Sequence, residues 1–277
     1  MLQFRIPMKT RNLKLTRYST AYSICSRLMV RPGTMSTVQN GLSSSSLRSR
    51  RPHGSTTTRA SLTVTDPSTS VSFPLVERLW TGAELRCMGT TCRTKKIAII
   101  GVKVYAVALY VEAQLAAREL GVRARGGFFE TDDDYCSALT DGAFVKALEI
   151  ELVRNVSGQQ FVEALEESLK PRMALSGDMG SLQKLQAFFT GKTLSKGAVV
   201  VLVYRLDGVL DVVVREGRGG LEGVGMADLS VESAGLSRAI FETYLGGKSI
   251  VPEGRAVWAE GARKLIESDT IRRQTGA

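Results

Sequence analysis

The stretch from Arg93 to Val111, RTKKIAIIGVKVYAVALYV, most constrains what this chain can fold into. It is a long apolar run rich in β-branched residues, with one arginine at its start, Lys103 inside it and two tyrosines. Its most apolar part, Ile97 to Val111, has 15 residues, whereas a membrane-spanning helix needs roughly 20. We therefore interpret the run as a pair of buried β-strands and predict no membrane span.

The arginine and a tyrosine of this run suggest a ligand with a polar end and an apolar body. Arg93 and Tyr105 on the walls of an apolar pocket can hold a carboxylate or a phenolate. In one straight strand the two residues would lie about 40 Å apart, at about 3.3 Å per residue. They can share a ligand only if the chain reverses between them, near Ala98–Gly101. The alternative is a surface Arg93 and a core Tyr105 with a hydrated hydroxyl.

The positive charge of the chain is concentrated in its first 65 residues. The net charge is +10, from 37 basic and 27 acidic residues. Residues 1–65 hold eleven of the basic residues and no acidic one, which leaves 26 basic against 27 acidic residues in the remainder. Arginine, serine and threonine without acid are typical of an organelle transit peptide. We predict a transit peptide over 1–65 and a folded domain over 66–277; a disordered basic tail is the alternative.

The hydroxyl-rich composition of this leader favours a plastid over a mitochondrion, which stays the alternative. Because the folded part is nearly neutral, the main argument for nucleic-acid binding disappears.

Histidine is almost absent, which excludes several chemistries. The single histidine, His53, lies in the leader, so the domain has no histidine for a catalytic triad, a general base or a metal site. Cys87, Cys92 and Cys136 are an odd number without metal-ligand spacing, so we expect reduced cysteines and no disulfide framework. We predict no metal, no cofactor and no catalytic residue.

Local patterns predict the element order β-β-α-β-α-α-β-β-α-α. Such an order indicates an α+β domain with an antiparallel sheet and a layer of helices on one side. Ser157 and Gln160 form a capping box at a helix start, Pro171 is expected to end that helix, and Asp207-Gly208 predicts a hairpin turn.

Two further expectations concern single segments. Strand alternation places Lys103 on the same face as Tyr105 and Val107. The acidic run Asp132–Asp134 is interpreted as a solvated loop rather than a cation site.

Several segments together resemble the chalcone isomerase fold family. They are Gly89-x-x-x-Arg93, VKVYAVALYV, SGQQFVEALEESLKPR, the block from Leu182 to Lys196, LSRAIFETYLGG and the helix at Pro252, and they span about residues 71–268. The resemblance implies one of two activities. One branch of the family converts chalcones to flavanones, as an intramolecular lyase. The other branch is a plastid group of non-catalytic fatty-acid-binding proteins.

The resemblance also implies which residues contact the ligand. Arg93 matches the arginine that steers an anionic ligand. Where the isomerases have threonine, tyrosine and asparagine, this chain has Tyr105, Phe161 and Ser168, and Ser237 keeps the family's hydroxyl. Losing the phenol at position 161 removes a donor for the developing oxyanion, which can cost on the order of 10²–10³ in rate.

The fatty-acid-binding branch is therefore the closer match. In that interpretation Arg93 and Tyr105 hold the carboxylate of a long-chain fatty acid in a cleft between sheet and helices, and Phe161, Ser168 and Ser237 line it. The alternatives are a chalcone–flavanone isomerase and an interaction scaffold without a ligand. The oligomeric state stays open.

Overall fold

A seven-stranded antiparallel sheet forms the centre of the described structure. This structure, a computed structural model, describes residues 62–97 and 100–275. The transit-peptide prediction therefore falls almost entirely outside the described residues. The eleven strands are β1 Thr63–Thr65, β2 Ser72–Pro74, β3 Val76–Arg78, β4 Glu84–Ile97, β5 Ile100–Glu112, β6 Lys146–Leu152, β7 Val156–Ser157, β8 Thr193–Leu194, β9 Val199–Tyr204, β10 Val209–Arg215 and β11 Leu229–Glu232.

The large sheet has the strand order β11-β10-β9-β6-β5-β4-β3, while β1 pairs with β2 and β7 with β8. All these pairings are antiparallel. Strand β1 lies inside the segment 1–65 that the composition predicts as a leader. The six α-helices of the described chain are α1 Ala113–Arg125, α2 Asp132–Asp141, α3 Gly158–Ser176, α4 Met179–Phe189, α5 Ala234–Leu245 and α6 Pro252–Thr275.

The two faces of the sheet are covered differently. The helices pack on one face, in a core that includes Tyr105, Val107 and Leu109 of β5. The opposite face carries Ala106, Ala108 and Tyr110 of the same strand, under Phe73 of β2 and neighbouring loops. The predicted α+β architecture, with helices on one side of an antiparallel sheet, is confirmed.

Strands β4 and β5 form one long hairpin. Its last pair before the reversal is Ile97 with Ile100, and Arg93 pairs directly with Tyr105. The register shifts next to this pair, because Thr94 pairs with Lys103 and leaves Val104 as an extra residue on β5. This bulge turns Lys103 away from the face of Tyr105, so the alternation predicted for these two residues is wrong.

Several local predictions are confirmed. Ser157 and Gln160 form the capping box of α3. Gly208 has a φ of 86°, as the turn between β9 and β10 requires.

Two other local predictions are wrong. Helix α3 continues through Pro171 to Ser176. Leu169 and Met173 are both fully buried, so packing on either side of the proline outweighs the one helical hydrogen bond that it cannot donate. The run Asp132–Asp134 is the first turn of α2 and not a loop. Thr131 and Asp134 close a capping box there, and negative charge is favourable at a helix N-terminus.

Helix α6 lies directly on β4. Gly89 has a φ of 134° at a bulge in β4, and its carbonyl accepts a hydrogen bond of 3.1 Å from the indole nitrogen of Trp258. A Cβ on Gly261 would lie 1.9 Å from the carbonyl oxygen of Met88. These two glycines therefore allow the helix and strand backbones to approach each other closely.

None of the helices within 62–97 and 100–275 is both long and apolar enough to cross a membrane.

Candidate functional site

A cavity of 460 Å³ opens at one end of the sheet, between the β4–β5 hairpin and α3. Its volume lies in the range of small-molecule sites, which is roughly 300–1,000 Å³. The lining residues come from β4, β5, the segment between β6 and α3, α3 itself and the segment before α6. They are Arg93, Lys95, Lys96, Val104, Tyr105, Arg154, Asn155, Val156, Gln160, Phe161, Ala164, Leu165 and Ile250.

The hairpin brings Arg93 and Tyr105 to the same cavity. The two residues are twelve positions apart in sequence but are direct partners across β4 and β5. Direct partners in an antiparallel pair have their Cβ atoms about 4.5–5.5 Å apart on one face. The sequence condition that the chain reverses between them is therefore met, and the register places the reversal between Ile97 and Ile100.

Arg93 is half-buried at the cavity wall. One terminal nitrogen of its guanidinium donates a 2.8 Å hydrogen bond to the carbonyl oxygen of Ile250. That bond links the hairpin to the segment before α6 and fixes the direction of the side chain. Within the described part of the chain, Arg93 has no carboxylate partner. Its remaining N–H groups are free to bind a carboxylate ligand.

Tyr105 is buried beside Arg93, with its hydroxyl 2.9 Å from the hydroxyl of Tyr244 in α5. Burial raises the pKa of Tyr105 to about 12, against the opposing effect of Arg93, and raises the pKa of Tyr244 well above its usual value. Both phenols are therefore protonated at neutral pH. The pair holds two O–H groups and uses one of them in the bond between the residues, so one donor remains for another acceptor.

Three further cations stand around the cavity. Lys95, Lys96 and Arg154 are exposed and line it together with Arg93, and no aspartate or glutamate is among the lining residues. None of these cations forms an ion pair with any residue that the structure describes. A cavity with this lining carries a positive potential that favours an anionic ligand.

Phe161 forms the apolar wall opposite the hairpin. It follows the capping box of α3, which fixes where the helix starts. Its ring centroid lies 6.3 Å from that of Tyr105 and 5.1 Å from that of Phe189 in α4. Both arrangements are tilted and fall within the favourable range for aromatic pairs. The cavity thus has a cationic entrance and an interior of aromatic and aliphatic side chains.

The structure brings three of the five residues named from sequence together. Arg93, Tyr105 and Phe161 line the cavity, whereas Ser168 and Ser237 are not among its lining residues. The backbone carbonyl of Ser168, two turns along α3, accepts a 2.5 Å hydrogen bond from Arg172. Ser237 is fully buried, and its hydroxyl bonds the carbonyl oxygens of Gly208 and Ser233.

Sequence reasoning did not single out several other residues of the site. Lys95 and Lys96 follow Arg93 closely in the apolar run Arg93–Val111, and Arg154 comes two residues after the end of β6. Tyr244 belongs to the motif LSRAIFETYLGG. Composition gave no sign that Tyr244 contacts Tyr105, because 139 positions separate them.

Two cysteine thiols of the described residues are buried and protonated. Burial raises the pKa of the Cys87 and Cys136 thiols to about 11, so neither is a ready nucleophile at neutral pH. The described ranges contain no group of three or more potential ligands that could hold a metal ion.

Comparison with known proteins identifies the fold. The structure matches the crystal structure of a fatty-acid binding protein from Arabidopsis thaliana with a TM-score of 0.62 and 20% sequence identity, covering 74% of this chain and 99% of that one. In sequence, the chain is 24% identical to chalcone isomerase-like protein 2 from Humulus lupulus over 184 residues, which cover 64% of this chain and 86% of the relative.

Two enzymes are also similar to the chain. It is 22% identical to a chalcone–flavanone isomerase from Canna generalis over 170 residues, covering 58% of this chain and 74% of the enzyme. It is 25% identical to one from Ipomoea batatas over 175 residues, covering 60% and 70%. No protein-family model matches the chain.

These comparisons confirm the resemblance that the sequence motifs indicated. The chain has the chalcone isomerase-like fold, and its relatives carry the names of both branches of that group.

Proposed function

We propose that this protein binds a long-chain fatty acid in the cavity between the β4–β5 hairpin and α3. The observation that carries the proposal is the lining of the cavity, in which four cations, unpaired with any carboxylate of the described residues, surround an apolar interior. The fold that it shares with a fatty-acid binding protein supports the same ligand class.

The head group of the ligand binds Arg93 and Tyr105. Arg93 supplies a guanidinium already oriented by its bond to Ile250, and a charge-assisted hydrogen bond to a carboxylate is about twice as strong as a neutral one. The donor left over in the Tyr105–Tyr244 pair supplies a second contact when it points into the cavity. Lys95, Lys96 and Arg154 attract the anion and stabilise it at the entrance.

The acyl chain packs against Val104, Phe161, Ala164 and Leu165. Burying one methylene group contributes about 0.8 kcal/mol, so the tail supplies most of the affinity and the head group mainly fixes orientation. Ser168 and Ser237 take no part in this proposal, because neither lines the cavity.

Native mass spectrometry of the protein purified from bacteria tests the proposal directly. We expect a co-bound mass that dissociates as a fatty acid, and a rise in the melting temperature when palmitate or oleate is added to the delipidated protein. Delipidated protein that shows neither effect would contradict the proposal.

Chalcone cyclisation is the second candidate, because two of the similar proteins are chalcone–flavanone isomerases. Position 161 is a phenylalanine that cannot donate to a ketone oxygen, so a donor for the developing oxyanion is lost there. We therefore expect cyclisation of naringenin chalcone at close to its spontaneous rate. Turnover well above that rate would establish an isomerase in place of a pure binding protein.

We also propose that residues 1–65 direct the protein to a plastid. A fluorescent protein fused behind these residues should enter isolated chloroplasts and be shortened by proteolysis. Import into mitochondria alone would replace the plastid with the alternative organelle.

A further inference from the structure

The β4–β5 hairpin projects beyond the rest of the sheet. The pairing of β5 with β6 begins at Tyr105 opposite Leu152, whereas the pairing of β5 with β4 continues to Ile100 opposite Ile97. The hairpin beyond Tyr105 is therefore a two-stranded ribbon next to the cavity entrance.

This projecting ribbon combines exposed positive charge with an exposed apolar side chain. Lys95 and Lys96 pair with Val102 and Gly101 on the ribbon, and both lysines are exposed. Ile100 is 65% exposed, although the end of a hairpin usually carries polar turn residues. An exposed isoleucine within two residue pairs of two lysines is typical of a surface that meets a lipid interface.

More cations face the same end of the sheet. Arg154 lines the cavity on one face, while Lys103 and Lys196 line a second, open cleft on the other face. Lys103 donates to the carbonyl oxygen of Ser68, so it is held in place without losing its charge. The one carboxylate in these two clefts, Glu151, lies 3.5 Å from Arg218.

We propose that this basic end, formed by Lys95, Lys96, Ile100, Lys103, Arg154 and Lys196, docks on the surface of an anionic membrane. The cations meet the lipid head groups, and Ile100 inserts at the boundary between head groups and acyl chains. Resting on the proposed function, this surface places the cavity entrance against the phase in which fatty acids dissolve, so a ligand transfers without crossing water.

A membrane explains the surface better than an acidic protein. Charge complementarity alone would suit either, but the exposed Ile100 next to lysines on a projecting ribbon fits a soft apolar layer, which needs no matching pocket. Each cation near an anionic bilayer contributes about fivefold in affinity, so the surface supports reversible docking.

The fluorescence of a tryptophan placed in the ribbon reports whether the ribbon itself enters the bilayer. It therefore distinguishes this docking from membrane binding by the basic residues 1–65. Full-length Ile100→Trp is mixed, without fatty acid, with vesicles of equimolar phosphatidylcholine and phosphatidylglycerol that carry brominated acyl chains. We expect its added fluorescence to shift to the blue and to be quenched. Val122→Trp in α1, at a position that is 57% exposed, is the matched control and should show neither change.

Charge reversal tests the electrostatic part. Lys95→Glu with Lys96→Glu in the Ile100→Trp background should lower the apparent vesicle affinity by about tenfold or more. Arg118→Glu with Lys184→Glu, two exposed cations that line neither cleft, should leave it unchanged. Vesicles of phosphatidylcholine alone should quench Ile100→Trp weakly.

The proposal is overturned if Ile100→Trp behaves as Val122→Trp does, or if neutral and anionic vesicles quench it equally. Because no fatty acid is present, the result does not depend on ligand binding. Arg93→Ala should dock normally even though it binds fatty acid poorly, which keeps the two proposals distinguishable.

Discussion

The two faces of the central sheet bury polar side chains in different ways. On the helix-covered face, the hydrogen bond of Arg93 within the described residues goes to a backbone carbonyl, and the Tyr105–Tyr244 pair has one O–H that it does not use. On the opposite face, Glu149 lies 2.6 Å from Arg218, and Asp211 accepts hydrogen bonds from Trp80 and Ser230. Polar groups with unused donors can bind a ligand, whereas the polar groups of the second face are paired with one another.

In the charge pair of the second face, Glu149 is nearly inaccessible to solvent, whereas Arg218 is partly exposed. The Glu149 side chain is 3% exposed, and the Arg218 guanidinium stacks 4.9 Å from the ring of Phe73. The geometry of the close contact does not meet that of a hydrogen bond. Burial, the largest cause, raises the pKa of Glu149 to about 7, although Arg218 acts in the opposite direction.

The largest expected effect is on stability, from removing the partner of Glu149. Arg218→Ala should lower the free energy of unfolding by up to about 3 kcal/mol at about pH 9, because Glu149 must then either stay charged without its partner or take up a proton about two pH units above its pKa of about 7. Near about pH 5 Glu149 is neutral, and the loss should be much smaller. Urea unfolding at the two pH values measures both.

Arg215→Ala is the matched control. Arg215 pairs with Asp228 at 2.6 Å, and both side chains are partly exposed, so its loss should cost about 1 kcal/mol or less at either pH. Equal losses for the two arginine variants would contradict the contrast between buried and exposed pairs.

The second prediction concerns how the free energy of unfolding depends on pH when Glu149 and Arg218 are both present. The folded-state pKa of Glu149, about 7, lies above its ordinary value of 4.5, so the folded state binds more protons between these values. Its contribution is complete below about pH 4.5 and is lost as the pH rises through about 7, by up to about 3 kcal/mol. In Glu149→Gln the free energy of unfolding should no longer fall by this amount between about pH 4.5 and about pH 7. If it falls as much as in the unmutated protein, other groups cause the pH dependence.

The third prediction tests the binding face. Arg93→Ala should weaken fatty-acid binding at least about tenfold, or about 1.4 kcal/mol, because the carboxylate loses its charged donor. Arg93→Lys keeps the charge but loses the planar fork, and should recover part of the affinity. Calorimetric titration with palmitate measures both, and an unchanged affinity in Arg93→Ala would remove Arg93 from the site.

The smallest effect on fatty-acid affinity is expected at Tyr244, which holds the hydroxyl of Tyr105 in place through a hydrogen bond. If the Tyr244 hydroxyl donates to Tyr105, the free O–H is the one that lines the cavity, and Tyr244→Phe should weaken fatty-acid binding about threefold. The same change in a Tyr105→Phe background should then have no further effect. Additive losses in the double variant would show that Tyr244 acts independently of Tyr105.

Much of this architecture is predictable from local sequence. The capping box at Ser157 and the turn at Asp207-Gly208 depend on neighbours only a few residues away, and both are confirmed. Pro171 and the run Asp132–Asp134 show the limit, because packing of Leu169 and Met173 and the cap at Thr131 decided their conformations. The prediction that Lys103 shares a face with Tyr105 is wrong because of the bulge at Val104. That bulge depends on the pairing with β4, which the local sequence does not show.

The sequence alone determined which chemistry is open to this domain. It has no histidine after residue 53 and a near-neutral charge, and it carries an apolar strand with an arginine before it and a tyrosine in it. Only the tertiary structure decided that Arg93 and Tyr105 face the same cavity and that Tyr244 reaches Tyr105. Composition and periodicity are properties of a few neighbouring residues, whereas strand register and the approach of α5 are set by contacts between residues far apart in the chain.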